Sequence, residues 1–422
     1  MSAITHYGAA LPRAAVNAKL VAIVSSFAAA LAVFLAGFVI REPAPYELYM
    51  AALLPVWGLM GLRLSRGIMP LTVLIVTFNI GGFLSMLTMA EIRDTPLYLA
   101  VSLFLGFTAI FFAAVIEARP ALFRPMFHAW VIGATGTSIL GILGYFHAFP
   151  GAEAFTLYNR AAGAFQDPNV FGPYLVAPAF YLIHRLVTGP VSRMPLIAVP
   201  LLIISLGIFL SFSRGAWGLF GIGTIVLVGM LFLQDPSPKF RLRVLVMSGI
   251  AVVLLVVAVL IALQIPSVAD LFQTRAKIVQ DYDGARLGRF ARHAIGFMMA
   301  MEKPLGIGPL NFGLMFGEDT HNIWLKALMD YGWLGFFSYF LLIMWTLAAG
   351  FRILFRQRPW QPFFMCAYSA LLGHVLLGTV IDTDHWRHFY ILLGMVWGVI
   401  ALEMRVQGAR ARGREHPALL PA

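Results

Sequence analysis

The chain has 422 residues, of which 60% are hydrophobic and only 12% are charged. Soluble domains carry about a quarter charged residues, so this composition excludes an ordinary soluble protein and indicates one that crosses a membrane many times. The net charge of +11 is judged by its placement and not as a nucleic-acid signal, and we expect no nucleic-acid partner. The single cysteine, Cys366, excludes a disulfide within the chain and a cysteine metal site.

The first apolar run, residues 20–40, follows Arg13 and Lys19. It is too long for the apolar region of a signal peptide, which has about 7–15 residues, and we interpret it as an uncleaved first span. A crossing helix needs about 20 mostly apolar residues. The sequence predicts an all-α polytopic protein, one integral membrane domain over residues 1–422 with about 12 transmembrane helices. The predicted spans are 20–40, 46–62, 68–89, 95–117, 126–147, 169–187, 194–212, 215–233, 244–264, 333–352, 361–381 and 388–404.

The basic residues predict the orientation of these spans, because loops rich in Lys and Arg stay in the cytoplasm. With a cytoplasmic N-terminus, every inner segment carries at least two Lys or Arg residues, and each short outer loop that has any carries one. This places both termini in the cytoplasm and makes residues 265–332 a large periplasmic loop between spans 9 and 10, with amphipathic helices. Residues 405–422 are predicted to form a disordered cytoplasmic tail that is able to touch membrane lipids.

Two stretches in the middle of the chain carry isolated outer arginines that the orientation rule does not explain. In "NRAAGAFQDPNVFGPY", Asp167 and Pro168 are typical of a helix start, and Arg160 precedes them. In "SFSRGAW", Arg214 lies between two apolar runs with almost no loop. A charge near bilayer depth costs roughly 3 kcal/mol and normally faces a polar cavity or a partner. The alternative is that Arg214 extends its guanidinium to the outer headgroups.

The outer loop contains a predicted amphipathic helix over residues 285–302. At 100° per residue, the polar stripe holds Arg286, Arg289, His293 and Gly296, and the opposite face is apolar. The stripe fits lipid phosphates as well as it fits a substrate phosphate, which matches the planar fork of arginine. Pro304, Gly306, Gly308 and Pro309 are then expected to end the helix and turn the chain.

Two further outer stretches contain histidines. In "GEDTHNIWLK", Asp319 or Thr320 is the expected N-cap of a helix, with His321 in its first turn. In "DTDHWRHFY", residues 382–390, the pattern of acids and histidines suits a metal site, but a polar hairpin between two helix ends explains it better.

In their order, spacing and common side, these stretches resemble the O-antigen ligase and polymerase superfamily of bacterial envelopes. The matching segments are "GAFQDPN", "SRG", "RFARHAIGFMMAMEKPLGIGPLNF" and "THNIWLKALMDYGWLG", between about residues 160 and 340. The resemblance implies glycan transfer at the periplasmic face of the bacterial inner membrane. The donor is a saccharide on undecaprenyl diphosphate, and the acceptor is a hydroxyl of lipid A–core or of another glycan.

The resemblance also implies which residues act. Arg214, His321 and an arginine of the loop helix are the expected catalytic residues, and Arg289 fits the spacing to Pro304 better than Arg286 does. Family members often have Trp where this chain has His293. The expected substrate-binding residues are Arg160, Asp167, Arg286, Asn322 and Arg387. The reaction implied is inverting, with neither a metal nor another cofactor, and a chain-length regulator is a candidate partner.

The residue types suit this chemistry. Arginine forks neutralise a diphosphate leaving group, and a neutral histidine accepts the proton of an attacking hydroxyl. The motifs do not identify the acceptor. A ligase is therefore favoured only slightly over a repeat-unit polymerase. A transporter or a flippase for lipid-linked sugars is a more distant alternative, because no likeness between two halves of the chain is visible. A purely structural role in envelope assembly is the third alternative.

Overall fold

A computed structural model describes residues 13–275 and 288–411, without the side chains of residues 13–16, 18, 289 and 290. The described part consists of α-helices, four short 3₁₀ helices and one small antiparallel hairpin. The elements are α1 (Arg13–Leu35), α2 (Pro45–Leu59), α3 (Met69–Ser85), a 3₁₀ helix (Met86–Thr88), α4 (Thr95–Ala118), a 3₁₀ helix (Pro120–Leu122), α5 (Phe123–Tyr145), a 3₁₀ helix (Ala152–Phe155), β1 (Thr156–Leu157), β2 (Arg160–Ala161), α6 (Pro168–Tyr174), α7 (Val176–Thr188), a 3₁₀ helix (Val191–Arg193), α8 (Met194–Leu210), α9 (Arg214–Gln234), α10 (Pro238–Ala262), α11 (Pro266–Arg275), α12 (Arg289–Glu302), α13 (Asn311–Phe316), α14 (Ile323–Asp330), α15 (Gly332–Ile353), α16 (Gln361–Leu377) and α17 (Arg387–Ala411).

Nine helical segments within the described ranges are long and apolar enough to cross a membrane. They coincide with nine of the predicted spans, which agrees with an all-α polytopic membrane protein. The other three predicted spans fall on shorter helices, namely the apolar part of α1 (Lys19–Leu35), α2 and α16. The count of twelve spans therefore stays a prediction.

Helices α4 and α17 form the centre of the bundle and pack along their whole length. Gly394 and Gly398 lie one turn apart on α17, against the backbone carbonyl oxygens of Ala109 and Ala113 on α4, so that a methyl group at either glycine would collide with the backbone. Small residues four apart permit such close approach between helices in membranes. At the periphery, α10 buries only Val244, and its remaining apolar surface is suited to lipid.

Contacts between loops define two ends of the bundle. At the site end, Ser85 Oγ donates to the carbonyl of Asp330 at 2.6 Å and Thr95 Oγ1 to that of Pro309 at 3.2 Å. At the far end, Arg405 donates to the carbonyl of Glu117 at 2.6 Å. The segments with a predicted outer position meet at the site end, and those with a predicted inner position meet at the far end. The side of the membrane that each end faces stays a prediction.

Two predicted boundaries differ from the structure. The helix expected over 285–302 begins at Arg289, and residues 285–287 lie outside the described residues. The C-terminal tail was expected to start at residue 405, but α17 continues to Ala411, since Val406 and Ala409 are buried and Arg405 is bonded to α4. The rest of the predicted tail, 412–422, lies outside the described residues.

Candidate active site

Arg160 fastens the hairpin to two helices at the site end. Its side chain is buried, its Nε donates to the carbonyl of Ser211 at 2.7 Å, and its Nη2 donates to Oδ1 of Asn169 at 2.8 Å. These bonds connect β2 with the end of α8 and the start of α6. Arg160 is thus held by the protein itself, and its predicted contact with substrate stays a prediction.

Asp167 caps α6 in the way that the sequence predicts. Its Oδ1 accepts from the amide of Asn169 at 2.7 Å, and Pro168 occupies the first turn. This confirms the predicted helix start. The cap also fixes Asn169, whose side chain accepts the hydrogen bond from Arg160. Asp167 therefore has a structural role beside its predicted contact with substrate.

Arg214 is the first residue of α9 and is half-buried at the site end. Ser213 caps the helix, its Oγ accepting from the amide of Ala216 at 3.3 Å. The chain turns sharply just before, with Phe212 in the left-handed region at a φ of 45°. Gly215 lies directly against Leu377, at the end of α16. Arg214 is therefore placed at a helix N-terminus, where the partial positive charge of the backbone adds to its own.

Helix α12 turns its polar side toward the protein. Nε2 of His293 lies 2.7 Å from the carbonyl oxygen of Thr320, and buried Arg292 pairs with Glu318 at 2.5 Å. The apolar residues Met298 and Met301 are exposed on the side of the helix away from Arg292. Of the predicted stripe, His293 therefore contacts the loop before α14, and the choice between lipid phosphate and substrate phosphate for its arginines stays a prediction. Arg292 was missed by the sequence analysis, because it lies at the edge of the predicted stripe.

Arg286 and Arg289 are the two arginines proposed for the loop helix. Arg289 is the first residue of α12, one turn before Arg292, but its side chain lies outside the described residues, and so does all of Arg286. The turn that follows α12 agrees with the prediction, with Gly306 and Gly308 at φ of 87° and 88°. Only residues without a Cβ adopt this backbone conformation at little cost.

The sequence predicted His321 in the first turn of α14. In the structure, His321 instead lies before this helix. Asn322 is the cap, since its Oδ1 accepts from the amides of Trp324 and Leu325 at 3.0 and 3.1 Å. His321 itself adopts a left-handed conformation with a φ of 51°, which costs a non-glycine residue on the order of 1–3 kcal/mol. Its side chain is 40% exposed, and its Nδ1 lies 3.6 Å from Oδ2 of Asp382.

A buried lysine joins the two loops that carry His321 and Asp382. Nζ of Lys326 lies 3.1 Å from Oδ2 of Asp319 and 3.9 Å from Oδ2 of Asp382. Burial disfavours its charge, but the nearby carboxylates, Asp384 foremost, outweigh this and raise the pKa of Lys326 well above its usual value. Lys326 is thus a permanent cation that holds the two loops together.

Asp384 forms a second part of this cluster. It accepts a short hydrogen bond from the Tyr98 hydroxyl, and Nδ1 of His385 lies 3.0 Å from its Oδ2. Burial would raise its pKa, but Lys326 and His385 more than offset this, and the pKa of Asp384 is lowered far below its usual range. Within residues 13–275 and 288–411, no three His, Cys, Asp or Glu side chains are grouped to hold a metal ion.

Arg387 begins α17 and is engaged by two glutamates from the start of the chain. It forms ion pairs with Glu47, on α2, and with Glu42, 3.0 Å away, and it is buried. This pairing connects α2 with α17. It gives Arg387 a structural role, and its contact with substrate stays a prediction.

The end of α16 brings the two halves of the candidate site together. Leu377 lies against Gly215, next to Arg214, and the carbonyl of Gly378 accepts from the amide of Ile323 at 2.8 Å, two residues after His321. Arg214 and His321 therefore flank the same helix end. The structure thus assembles at one end of a helical bundle a cationic helix start, an imidazole with an adjacent carboxylate, and a buried ionic cluster.

The sequence analysis did not predict the contacts of Asp382 and Lys326, although each residue lies in a sequence pattern that indicates such a contact. "DTDH" was considered for a metal, not as a partner of His321. Lys326 is a single cation within the apolar run "NIWLKALM", and a buried cation requires a nearby carboxylate.

The fold and the polar end together define a polytopic membrane protein with a candidate active site at one end of its bundle. Residues 199–340 match the family model described as O-antigen ligase. This match supports the O-antigen ligase and polymerase superfamily and confirms the resemblance noted in the sequence. A comparison with the curated proteins found no match. The family supports glycan transfer in O-antigen processing by an enzyme of the glycosyltransferase type that acts on lipid-linked glycans.

Proposed function

We propose that the protein transfers a glycan from undecaprenyl diphosphate to an acceptor hydroxyl at the periplasmic face, as an O-antigen ligase-like, inverting enzyme that needs no metal. The observation that carries this proposal is the family match over residues 199–340, because that segment contains Arg214, Arg289 and His321. The positions of Arg214 and His321 beside one helix end lend support. A donor diphosphate next to the start of α9 would meet both a guanidinium and the helix N-terminus.

In the proposed reaction, the acceptor hydroxyl attacks the anomeric carbon of the donor sugar. The new bond joins the acceptor oxygen to that carbon, and the bond from carbon to the diphosphate oxygen breaks with its electron pair on the diphosphate. Arg214 and Arg289 neutralise the negative charge that develops there, which is the largest contribution expected from such a site. The hydroxyl proton passes to His321.

We infer that Asp382 positions the imidazole of His321. A proton on Nδ1 directed at the carboxylate leaves Nε2 free to accept a proton from the acceptor. The separation of 3.6 Å exceeds a hydrogen bond, and contacts of this kind often shorten when substrate binds. Lys326 holds Asp382 through its ammonium group, so that the carboxylate stays beside the ring.

The test of this proposal is a transfer assay with the purified protein in liposomes, given a labelled undecaprenyl-diphosphate-linked glycan and a glycan acceptor. We expect labelled product and released undecaprenyl diphosphate from the wild-type protein, and neither from His321→Ala. Movement of the intact donor across the bilayer without bond cleavage would instead support the flippase alternative.

A repeat-unit polymerase uses the same chemistry with a glycan as acceptor, so the two activities are separated by their products in cells. In a strain that lacks the gene, a ligase predicts accumulation of finished polymer on the lipid carrier, and a polymerase predicts accumulation of single repeat units. Loss of capsule or exopolysaccharide with intact lipopolysaccharide would overturn the choice of ligase.

A further inference from the structure

A groove of about 660 Å³ lies at the far end of the bundle, away from the candidate active site. It runs between α1, α2 and α4, is closed by the segment 60–65, and touches α17 at Arg405. Its volume is within the usual range for a small-molecule site, roughly 300–1,000 Å³. Helix α4 connects the two locations, because Tyr98 contacts Asp384 near its start and residues 114, 115, 117 and 118 line the groove near its end.

The distance between the two locations matches the thickness of a bilayer. From Tyr98 to Ala118, α4 spans about 30 Å at about 1.5 Å per residue, which is the thickness of the hydrocarbon core. The groove and the candidate active site therefore belong to opposite leaflets. A ligand of the groove is a molecule of the far leaflet, which the charge bias predicts to be the cytoplasmic one.

The walls of the groove are apolar and partly exposed at the flank of the bundle. Val24, Val56 and Met60 line it and are more than half exposed, and Trp57 lies among them, a residue type enriched at membrane interfaces. Such walls suit an acyl chain better than a small hydrophilic ion. The bundle thus offers at this position an apolar cleft that is open to the surrounding lipid.

The rim of the groove is basic. Arg63, Arg119 and Arg405 all line it and are all exposed. Two of them have neutral partners: Arg119 Nη1 donates to the Ser25 hydroxyl at 3.1 Å, and Arg405 Nη2 donates to the backbone carbonyl of Glu117 at 2.6 Å. Glu117 is the acidic residue of the lining, and its side chain is buried. Three cations against one acid leave a net positive rim.

We propose that this groove binds an anionic glycerophospholipid of the far leaflet. The phosphate lies between Arg119 and Arg405 with Arg63 beside it, since the positive charges of these residues attract an anionic headgroup. One acyl chain lies along the apolar walls of α1 and α2. This site is independent of the reaction at the other end, and it ties α1, α4 and α17 together through a bound lipid.

The experiment is native mass spectrometry of the purified full-length protein, titrated with phosphatidylglycerol or phosphatidylcholine in the same detergent. We expect the wild-type protein to retain phosphatidylglycerol preferentially, and the double variant Arg119→Gln/Arg405→Gln to lose this preference. Each arginine removed should weaken phosphatidylglycerol binding about fivefold. Arg193→Gln is the matched control, because Arg193 is an exposed arginine outside the groove, in a loop also predicted to be inner.

A charge-conserving variant and a soluble competitor complete the design. Arg119→Lys/Arg405→Lys should retain most of the preference, which separates the loss of binding from a loss of folding. Equal retention of both lipids by the wild-type protein, or an equal effect of the control, would overturn the proposal. Displacement of the lipid by an equal concentration of inorganic phosphate would also overturn it, because the groove would then be a site for free anions.

Discussion

Arg214 combines three properties at one position. It begins α9, and it lies half-buried at the site end. Its neighbour Gly215 contacts the C-terminal end of α16, which is also hydrogen-bonded to the segment that follows His321. Cations are usually unfavourable at a helix N-terminus, since the backbone is already positive there. An anion bound at this place would turn that repulsion into attraction, which is why a diphosphate is the ligand that we propose.

For Arg214→Lys, we expect a loss of transfer activity of about 10- to 100-fold, because lysine keeps the charge but loses the planar fork that donates two hydrogen bonds to a phosphate. The measurement is the initial rate of product formation in the liposome assay. Arg93→Lys, an exposed arginine at the same end, is the control with an unchanged rate. A normal rate for Arg214→Lys would count against phosphate binding at this position.

For Asp382→Asn, we expect the kcat of transfer to fall about tenfold or more while the KM for the donor changes little, since the carboxylate orients His321 and does not touch the donor in this scheme. Asp94→Asn, an exposed acid at the same end, serves as control. A rise in KM with unchanged kcat would show that Asp382 acts in binding and would remove its proposed positioning role.

Among the structural elements, α14 carries two buried ionisable residues of opposite type. It is a short helix between the His321 loop and α15, and it buries both Lys326 and Asp330. Burial raises the pKa of Asp330 well above its usual value, more than Lys326 lowers it. Oδ2 of Asp330 is buried and has no hydrogen-bond partner within the described residues. Burial therefore favours the neutral form of Asp330, whereas Lys326 and His385 favour the ionised form of Asp384.

The raised pKa of Asp330 makes a pH dependence testable. Its folded pKa is raised, so its contribution to stability is complete below the unfolded pKa of about 4 and is lost as the pH rises toward the folded value. Asp330→Asn removes the titration and keeps the shape. We expect the apparent Tm of the variant in detergent to exceed that of the wild-type protein by more at pH 8 than at pH 5.

The control for this measurement is Asp270→Asn, since Asp270 is exposed on α11 and its replacement should leave the pH dependence of the wild-type protein unchanged. Parallel curves for wild type and Asp330→Asn between pH 5 and pH 8 would contradict a raised pKa of Asp330.

The elements also show how far sequence reasoning reaches. Long apolar runs and the cap at Asp167 are local patterns, and both were predictable. The cap of α14 was predicted at Asp319 or Thr320, because these residues and Asn322 are all good capping residues. The contact of Asp319 with Lys326 engages Asp319 elsewhere and leaves Asn322 as the cap. The approach of Asp382 to His321 joins loops about 60 residues apart, and no local pattern contains that information.

Across the whole molecule, we propose glycan transfer at the site end of the bundle and lipid binding at the far end. The count of basic residues predicts an inner and an outer end of the bundle, but it does not predict the contacts that the individual arginines make. Arg160 and Arg387 proved to hold loops together, and Arg63, Arg119 and Arg405 surround a lipid-sized groove.

The most direct test of the central claim is complementation of a strain that lacks the gene with Arg214→Ala, Arg289→Ala and His321→Ala, alongside Arg93→Ala as control. We measure the surface glycan and the amount of each protein in the membrane. We expect each of the three substitutions to abolish the glycan product at normal protein levels, with the lipid-linked donor accumulating, and the control to restore it fully. Wild-type amounts of product from the three variants would contradict the account and favour a structural role for this protein.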